Sequence, residues 1–335
     1  MIMTSSSTFR IGLIAATSRS HVNPGDVLIC QGIRHLLDVA CARQGLVPAY
    51  VQNDIFVYDT CHWGAFVDTV DLIVLCGTPQ IDQSHVPQRF NQVFYDRLWS
   101  VKQKGRCKFA NLYAGFVFQS PDAGFDKGVD WIVRSHEDFL RKNMNIYDLF
   151  VARDATTKAV MDRVGLPAHQ LADSVSYSPD YYGQSSLEPA YDLLVLRHLG
   201  PGLNDRLIEA FNRLNGPGTV ALCHDAEDYH VYKGRVPEPL LFTTDPRTLL
   251  RIYANAGTVY SLRTHGSVLA QRFGKPLLNI RMDSRAEILD YLGAHSITVH
   301  EFVDGHLKPA VGGSVQELLT ADRERFCDLF RAFCV

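Results

Sequence analysis

Short apolar runs alternate along the chain with stretches whose apolar positions recur at helical spacing. In the first half, the apolar runs predict strands at 11–15, 47–52, 72–75, 109–113 and 149–152. Amphipathic stretches at 27–42, 90–104 and 132–142 predict helices between these strands. Because parallel strands need helical crossovers and are buried on both faces, the alternation indicates βαβ units.

A segment rich in Gly, Ser and Pro, YSPDYYGQSSLEPAYD at 177–192, interrupts this pattern as an interdomain linker would. The alternation then resumes, with strands predicted in YDLLVLRHLG, TVALCHD, GTVYSLRTH and PLLNIRM. The sequence therefore predicts two doubly wound α/β domains, at 1–180 and 190–335, that face each other across a cleft. A last amphipathic stretch at 315–333 predicts a helix packed on the first domain, or alternatively on a partner subunit.

Composition supports two globular domains and excludes several classes of protein. The chain has 335 residues, which exceeds one ordinary domain, and its 46% hydrophobic content is globular. A net charge of -3 provides no basic field for nucleic acid. The apolar run at 11–16 is too short for a signal peptide or a transmembrane segment. Eight cysteines without CxxC spacing are typical of reduced thiols, so we expect a cytoplasmic protein.

Polar residues follow many of the predicted strands, where ligands bind in open parallel sheets. They are Asn23, Asp26, Thr78, Gln80, Arg153, Asp154, Arg197, His198, His224, Arg263, His265 and Arg285. In the corner SLRTHGS, Arg263 supplies a permanent forked charge, and the helix start at Gly266 attracts an anion. His265 can move a proton near neutral pH. The alternative is a capped helix start with a surface arginine and a structural histidine.

Two further corners have a functional and a structural interpretation each. In NPGD, Asn23 and Asp26 either hold substrate hydroxyls or form a turn and a helix cap. In ARD, Arg153 either binds the same anion as Arg263 or pairs with Asp154 as the cap of the next helix. No GxGxxG follows the first strand, so a dinucleotide site is not indicated.

The remaining motifs exclude more chemistry than they indicate. CHDAEDYH at 223–230 does not have the ligand spacing of a metal site, although His224 remains a candidate for the cleft. The chain contains no P-loop, GxSxG elbow or HExxH helix, so the usual NTPase and hydrolase signatures are missing.

Three motifs in order, NPGD at 23–26, ARD at 152–154 with a glycine at 165, and SLRTHG with GKPLLNI at 261–280, resemble the polysaccharide pyruvyl transferase family. The resemblance extends from about residue 11 to about residue 295. Its matching positions are Gly25, Asp26, Arg153, Asp154, Ser261, Arg263, His265, Ala270, Gly274, Pro276 and, where the family often has a lysine, Arg285. LCGTPQ at 75–80 departs from the glycine run that the family has there.

The resemblance implies a GT-B-like fold of two Rossmann-like domains, and transfer of a pyruvyl group from phosphoenolpyruvate to two hydroxyls of a sugar or exopolysaccharide. The product is a ketal, and phosphate is released. The implied catalytic residues are His265 and Asp26. The implied anion-binding residues are Arg153, Arg263, Arg285 and Gly266, and the acceptor-binding candidates are Asn23, Thr78, Gln80 and His224. The implied chemistry uses phosphoenolpyruvate as a substrate and requires no metal or other cofactor.

Two alternatives come from other functional classes. A glycosyltransferase with this architecture would hold the diphosphate of a nucleotide sugar with the same basic residues. A non-catalytic relative would keep the cleft and bind a sugar or an anion without turnover, as the altered LCGTPQ segment could suggest. The acceptor and the oligomeric state cannot be read from the sequence, because specificity lies in loops.

Overall fold

A computed structural model describes residues 7–16, 23–54, 66–77, 79–82, 92–105, 107–118, 125–214, 216–236, 238–311 and 313–334. At 79–82, 125, 126 and 201 it describes the backbone only. These residues form two open sheets in which every strand pair is parallel. The fold class predicted from the alternation of strands and helices is therefore confirmed.

The first sheet has seven strands. They are β1 (Thr8–Ala15), β2 (Val47–Asp54), β3 (Leu72–Cys76), β4 (Pro79–Asp82), β5 (Lys108–Val117), β6 (Leu149–Ala152) and β7 (His169–Gln170). Their order is β2-β1-β3-β5-β6-β7, and β4 pairs with the end of β5 beyond β3. The direction of strand order reverses between β1 and β3, which places a ligand-binding crevice at their carboxyl ends.

The second sheet has six strands. They are β8 (Tyr191–Leu196), β9 (Thr219–Cys223), β10 (Leu240–Phe242), β11 (Ala256–Ser261), β12 (Leu277–Arg281) and β13 (Ser296–Thr298). Their order is β10-β9-β8-β11-β12-β13, the arrangement of a doubly wound nucleotide-binding sheet. Here the order reverses between β8 and β11. The boundaries predicted at 180 and 190 fall between the last strand of the first sheet and the first strand of the second.

Helices connect the strands. They are α1 (Pro24–Arg43), α2 (Gln92–Gln103), α3 (Phe125–Met144), α4 (Ala155–Arg163), α5 (Ser178–Tyr182), α6 (Pro201–Leu214), α7 (Ala226–Tyr232), α8 (Pro246–Ala254), α9 (Thr264–Arg272), α10 (Glu287–Tyr291), α11 (Val299–Val303) and α12 (Gln316–Cys334). Short 3₁₀ turns lie at Ser174–Tyr177 and Ser284–Ala286. None of the described helices combines the length and the apolar character needed to cross a bilayer.

The sheets are covered on both faces, as the apolar runs predict. Neighbouring residues of β1 belong to different buried clusters, Leu13 to one and Ile14 to the other. The same alternation occurs in β3, where Val74 belongs to the cluster of Leu13 and Leu75 belongs to the cluster of Ile14. Side chains of a strand point alternately to its two faces, so each central strand contributes to two cores.

Helix α1 joins the two halves of the molecule and presents its first turn to the space between them. Asn23 caps it, since its Oδ1 accepts a hydrogen bond of 3.0 Å from Gly25 N. Its buried residues, including Leu28 and Ile33, belong to an apolar cluster that continues to Leu249 in the second half. The amino end of α1 is therefore fixed by packing against both halves.

The last helix, α12, packs on the first half of the molecule. This was the first of the two predicted alternatives, the other being a partner subunit. Phe330 of α12 meets Phe9 of β1 edge to face, with ring centroids 6.2 Å apart. Asp322 accepts a 2.7 Å hydrogen bond from Ala172 N, and also bonds from the hydroxyl of Tyr291 in the second half. One buried carboxylate thus links three segments that are distant in sequence.

Candidate active site

A pocket lies between the carboxyl ends of the two sheets. The described residues that line it are Asn23, Asp26, Arg153, Arg197, His224, Arg263, Thr264, His265 and Arg285. Eight of these are among the strand-end residues singled out from the sequence, although Arg197 received no role there, and the ninth is Thr264. Thr78 lies outside the described residues, and the side chain of Gln80 does as well. Their predicted acceptor roles stay predictions.

Arg153 is deeply buried and incompletely hydrogen-bonded. It follows β6, its side chain is 1% exposed, and its Nη1 donates a 3.1 Å hydrogen bond to the carbonyl of Gly77 at the end of β3. The Nε and Nη2 groups have no hydrogen-bond partner in the described structure. A buried guanidinium with two free donors is suited to an oxygen-rich anion in the pocket.

Two buried carboxylates offset the charge of Arg153. Asp154 caps α4 by accepting a 2.7 Å bond from Thr157 N, and its Oδ2 lies 3.7 Å from Arg153 Nε. Asp173 caps the 3₁₀ turn at Ser174–Tyr177 in the same way. Burial raises the pKa of both carboxyls, and the guanidinium lowers it. The predicted cap and ion pair of Asp154 are thus present, together with the placement of Arg153 in the pocket.

The corner after β11 is held by its own serine. Ser261 Oγ accepts a 3.1 Å bond from Arg263 N and donates a 2.9 Å bond to the Arg263 carbonyl. Arg263 occupies the N-cap position of α9 and provides no side-chain acceptor to the first turn. The free amide groups of that turn remain available to an anion.

Arg263 is already paired, which the sequence did not indicate. Its Nη2 donates to the carboxylates of Asp225 and Asp228. Burial lowers the pKa of Arg263, but these two carboxylates outweigh burial, and the net shift is upward. Arg263 thus ties the start of α7 to the start of α9. Its direct contact with a substrate anion stays a prediction.

His265 lies against α1. A Cβ added to Gly25 would be closer to His265 Nδ1 than non-bonded atoms allow, so a glycine is needed there for the two halves to approach. His265 Nε2 is buried and has no hydrogen-bond partner among the residues that the structure describes. Burial lowers the pKa of His265 well below its ordinary value, and the charges of Arg153 and Arg285 lower it further. The imidazole is therefore neutral in the pocket as it stands.

His224 is positioned by a tyrosine. Its Nε2 lies 3.0 Å from the hydroxyl of Tyr253, and the side chain is buried. Burial lowers the pKa of His224 to about 3, with Arg263 as a further cause. Gly266 was predicted to start the helix that follows β11, but α9 begins two residues earlier at Thr264, and Gly266 lies in its first turn. It leaves room for the hydroxyl of Tyr253, because a Cβ at this position would collide with that group.

Two arginines share one carboxylate at the opposite side of the pocket. Arg285 Nε donates a 2.8 Å bond to Asp283 Oδ1, and Arg285 Nη2 donates to the other oxygen. Arg197 Nη1 is 3.7 Å from the same carboxylate. Burial lowers the pKa of Arg197 to about 10, and the charges of Arg285 and Arg263 lower it further. Two guanidinium groups therefore share the carboxylate of Asp283 at this side of the pocket.

Two Rossmann-like domains with a site between their strand ends define the GT-B class. Residues 23–284 match the family model described as Polysaccharide pyruvyl transferase. This match spans well over half of the chain, so the chain belongs to the polysaccharide pyruvyl transferase family, and the resemblance seen in its motifs is confirmed. No curated protein matches the sequence significantly.

Similar solved structures share the fold at low sequence identity. The Methanocaldococcus jannaschii UDP-GlcNAc 2-epimerase, in complex with UDP-GlcNAc and UDP, is 10% identical with a TM-score of 0.56, over 98% of this chain and 99% of its own. S. aureus MnaA, solved with UDP, is 10% identical with a TM-score of 0.54, over 97% of this chain and 97% of its own. Anabaena HepE, solved with UDP and glucose, is 11% identical with a TM-score of 0.50, over 97% of this chain and 100% of its own. At such identities the likeness shows the fold alone, and it confirms the GT-B-like prediction.

Proposed function

We propose that the protein transfers the pyruvyl group of phosphoenolpyruvate to two hydroxyls of a sugar or glycan, forming a ketal and releasing phosphate. Membership of the family supports a transferase of this type. The observation that carries the proposal is the pairing of unused groups in one pocket, the free donors of buried Arg153 and the free Nε2 of His265. An anion with several oxygens and an adjacent proton transfer match these groups.

The reaction balances with protons and phosphate alone. A proton adds to C3 of the enol, and the oxygen of the first hydroxyl bonds to C2 as its own proton leaves to a base. The C2–O bond to phosphate then breaks, and the second hydroxyl bonds to C2 and loses its proton. The net product is the ketal plus inorganic phosphate. Because donor and acceptor undergo no net redox change, the reaction requires no redox cofactor.

We assign the pocket residues to these steps in the roles that the family resemblance implies. His265 moves the proton at C3, and Asp26 accepts the proton of an attacking hydroxyl. Arg153, Arg285 and Arg263, with the first turn of α9 that includes Gly266, bind the carboxylate and phosphate. The acceptor is held on the α1 side by Asn23, with His224, Thr78 and Gln80 as further contacts.

Substrate binding can activate His265 as an acid. Positive neighbours and burial keep its pKa low while the pocket holds no anion. A donor with several negative charges among the arginines would offset these neighbours and raise the pKa of the imidazole. The protonated form would then arise only when a donor is present to receive the proton, which limits unproductive proton transfer.

The compartment follows from the thiols and the donor. The described cysteines, Cys30, Cys41, Cys76, Cys107, Cys223, Cys327 and Cys334, are all free. Free thiols of this number suit a reducing compartment, and we therefore propose a cytoplasmic location. The proposed partners are small molecules, phosphoenolpyruvate and a sugar or glycan acceptor.

The experiment is incubation with phosphoenolpyruvate and a panel of sugars and glycans. Phosphate release should accompany an acceptor mass increase equal to pyruvate less one water. His265→Asn should abolish both signals, whereas Arg206→Gln, at an exposed ion pair with Asp304, should leave them unchanged. Release of a nucleotide from UDP-, GDP- or CMP-sugars, without use of phosphoenolpyruvate, would replace the proposal with glycosyl transfer.

A further inference from the structure

We propose that Arg197 is a further donor-binding residue, and that it binds the phosphoryl group from the second half of the molecule while Arg153 acts from the first. The inference rests on the proposed function for the identity of the donor. Arg197 directly follows β8, beside the point where the strand order of the second sheet reverses. In doubly wound sheets, phosphate groups bind at this first strand-to-helix turn.

The backbone around Arg197 is fixed by buried polar groups. The hydroxyl of Tyr232 donates a 2.9 Å hydrogen bond to the Arg197 carbonyl. Asp228 accepts a 2.7 Å bond from His198 N, and the other oxygen of Asp228 accepts from Arg263. A guanidinium on a loop held in this way keeps its direction before a ligand arrives, which reduces the entropy lost on binding.

The charge of Arg197 is the least compensated on its side of the pocket. Among the described residues its one ion-pair partner is Asp283, at 3.7 Å, and Asp283 is already bound at both oxygens by Arg285. Arg263, in contrast, donates from its Nη2 to two carboxylates. In the part of the chain that the structure describes, the side chain of Arg197 makes no hydrogen bond, so its donors remain for a pocket ligand.

Burial makes this lack of compensation significant. The side chain of Arg197 is 29% exposed and lines the pocket with its open part. A half-buried, weakly paired guanidinium is stabilised when an anion arrives, so the site suits a ligand with more than one negative charge. A phosphoryl group carries the larger charge of the donor and offers three acceptor oxygens to a forked guanidinium.

The test is calorimetric titration of the full-length protein with inorganic phosphate, phosphoenolpyruvate and pyruvate. Arg197→Gln should weaken phosphate and phosphoenolpyruvate binding about 10- to 100-fold and leave pyruvate binding unchanged, because one charge-assisted contact is lost. Arg206→Gln, the same substitution at an exposed ion pair of the same half, should change nothing. Arg197→Lys should give a smaller loss, since the charge stays while the fork is removed.

The outcomes separate this inference from the proposed function. Unchanged phosphate affinity in both Arg197 variants would overturn the inference, as would a loss confined to pyruvate. If wild type binds phosphate but not phosphoenolpyruvate, the proposed function fails, and the phosphate titration still decides the role of Arg197. Should Arg197→Gln not fold, as shown by its unfolding transition without ligand, the Lys variant alone decides.

Discussion

At the scale of single residues, Arg153 combines deep burial with unused hydrogen-bonding capacity. Leaving donors unpaired in the interior costs about 1–3 kcal/mol, which a folded protein rarely tolerates without a functional reason. Asp154 and Asp173 balance the charge and leave the Nε and Nη2 groups free. This combination is what we expect of a preformed anion site.

We predict that Arg153→Met abolishes phosphoenolpyruvate binding and lowers the free energy of unfolding by about 3 kcal/mol at pH 7.5, because it leaves two buried carboxylates without a counter-charge. Burial already raises the pKa of both carboxyls, so they protonate readily in the variant. The loss measured by urea unfolding should therefore be smaller at pH 5 than at pH 7.5. An equal loss at both pH values would contradict this account of the site.

His224 should make stability depend on pH in the acidic range. Its pKa is lowered from 6.5 to about 3, so below pH 6.5 the unfolded chain binds a proton that the folded chain does not. The contribution of the neutral His224 to the free energy of unfolding is complete above pH 6.5 and decreases by about 1.4 kcal/mol per pH unit below it. We expect His224→Gln to lose stability less steeply than wild type between pH 6.5 and 4.5 in urea titrations. Parallel slopes would contradict a neutral buried imidazole.

The sequence located most of the pocket residues but not their partners. Strand-end positions bring Arg153, Arg263 and His265 together, because parallel strands share one carboxyl edge. The pairing of Arg263 with Asp225 and Asp228 was missed, since it depends on how two loops from separate strands meet. The acidic residues that follow a strand end in CHDAEDYH were the one sign in the sequence of a partner for Arg263. Arg197 was recognised as a strand-end residue, but the sequence indicated no role for it.

At the scale of elements, the amino end of α1 and the start of α9 meet at Gly25 and His265. Alanine is as good as glycine or better in a first helical turn, so Gly25→Ala affects the contact rather than the helix. We predict a fall in kcat of about 100-fold from displacement of His265, together with a lower melting temperature, because the added methyl group overpacks a buried contact. Gly202→Ala is the matched control, because this glycine also lies at a helix start and has open space around it. Equal kcat values for both variants would contradict the contact.

A short segment around Arg285 connects the two halves beside the pocket. Phe118 N donates a 3.2 Å bond to Ser284 Oγ, and Ser284 N donates a 3.2 Å bond to the Phe118 carbonyl. Further along, Glu287 accepts bonds of 3.2 and 2.6 Å from the amide and hydroxyl of Thr156, two residues after Asp154. The segment that carries Arg285 is therefore fixed to the half that carries Arg153.

Glu287 should make the stability of the folded chain depend on pH. Burial raises its pKa from 4.5 to about 7, although Thr156 acts in the opposite direction. Between these pH values the folded chain binds the proton and the unfolded chain does not, so stability falls as pH rises from 4.5 to 7. We expect Glu287→Gln to melt above wild type at pH 8 and close to it at pH 4.5. A variant that melts lower than wild type at pH 8 would contradict the prediction.

The long apolar runs predicted the central strands well, because burial on both faces leaves a clear pattern. β1, β3, β5 and β6 all lie where they were expected. The short strands β4, β7, β10 and β13 were not predicted. They have two to four residues each and lie near sheet edges or beyond a strand end, where little apolar burial is needed to form them.

At the scale of the whole molecule, the two sheets are held as one unit by α1 and α12 rather than by the linker alone. Helix α12 comes from the second half of the sequence but packs on the first sheet, and its Asp322 bonds to residues of both halves. The sequence pattern showed that this helix is amphipathic but could not select the surface it covers. The relative placement of the halves, and hence the pocket, follows from such long-range packing.

The central claim is that the pocket between the halves binds phosphoenolpyruvate as its donor. The most direct measurement is the melting temperature of wild type and Arg153→Met with phosphoenolpyruvate or with UDP-, GDP- and CMP-sugars. A ligand at about 100 times its dissociation constant stabilises the folded state by about 2.7 kcal/mol. We expect phosphoenolpyruvate to raise the melting temperature of wild type and to leave that of Arg153→Met unchanged. A rise with a nucleotide sugar, and none with phosphoenolpyruvate, would contradict it.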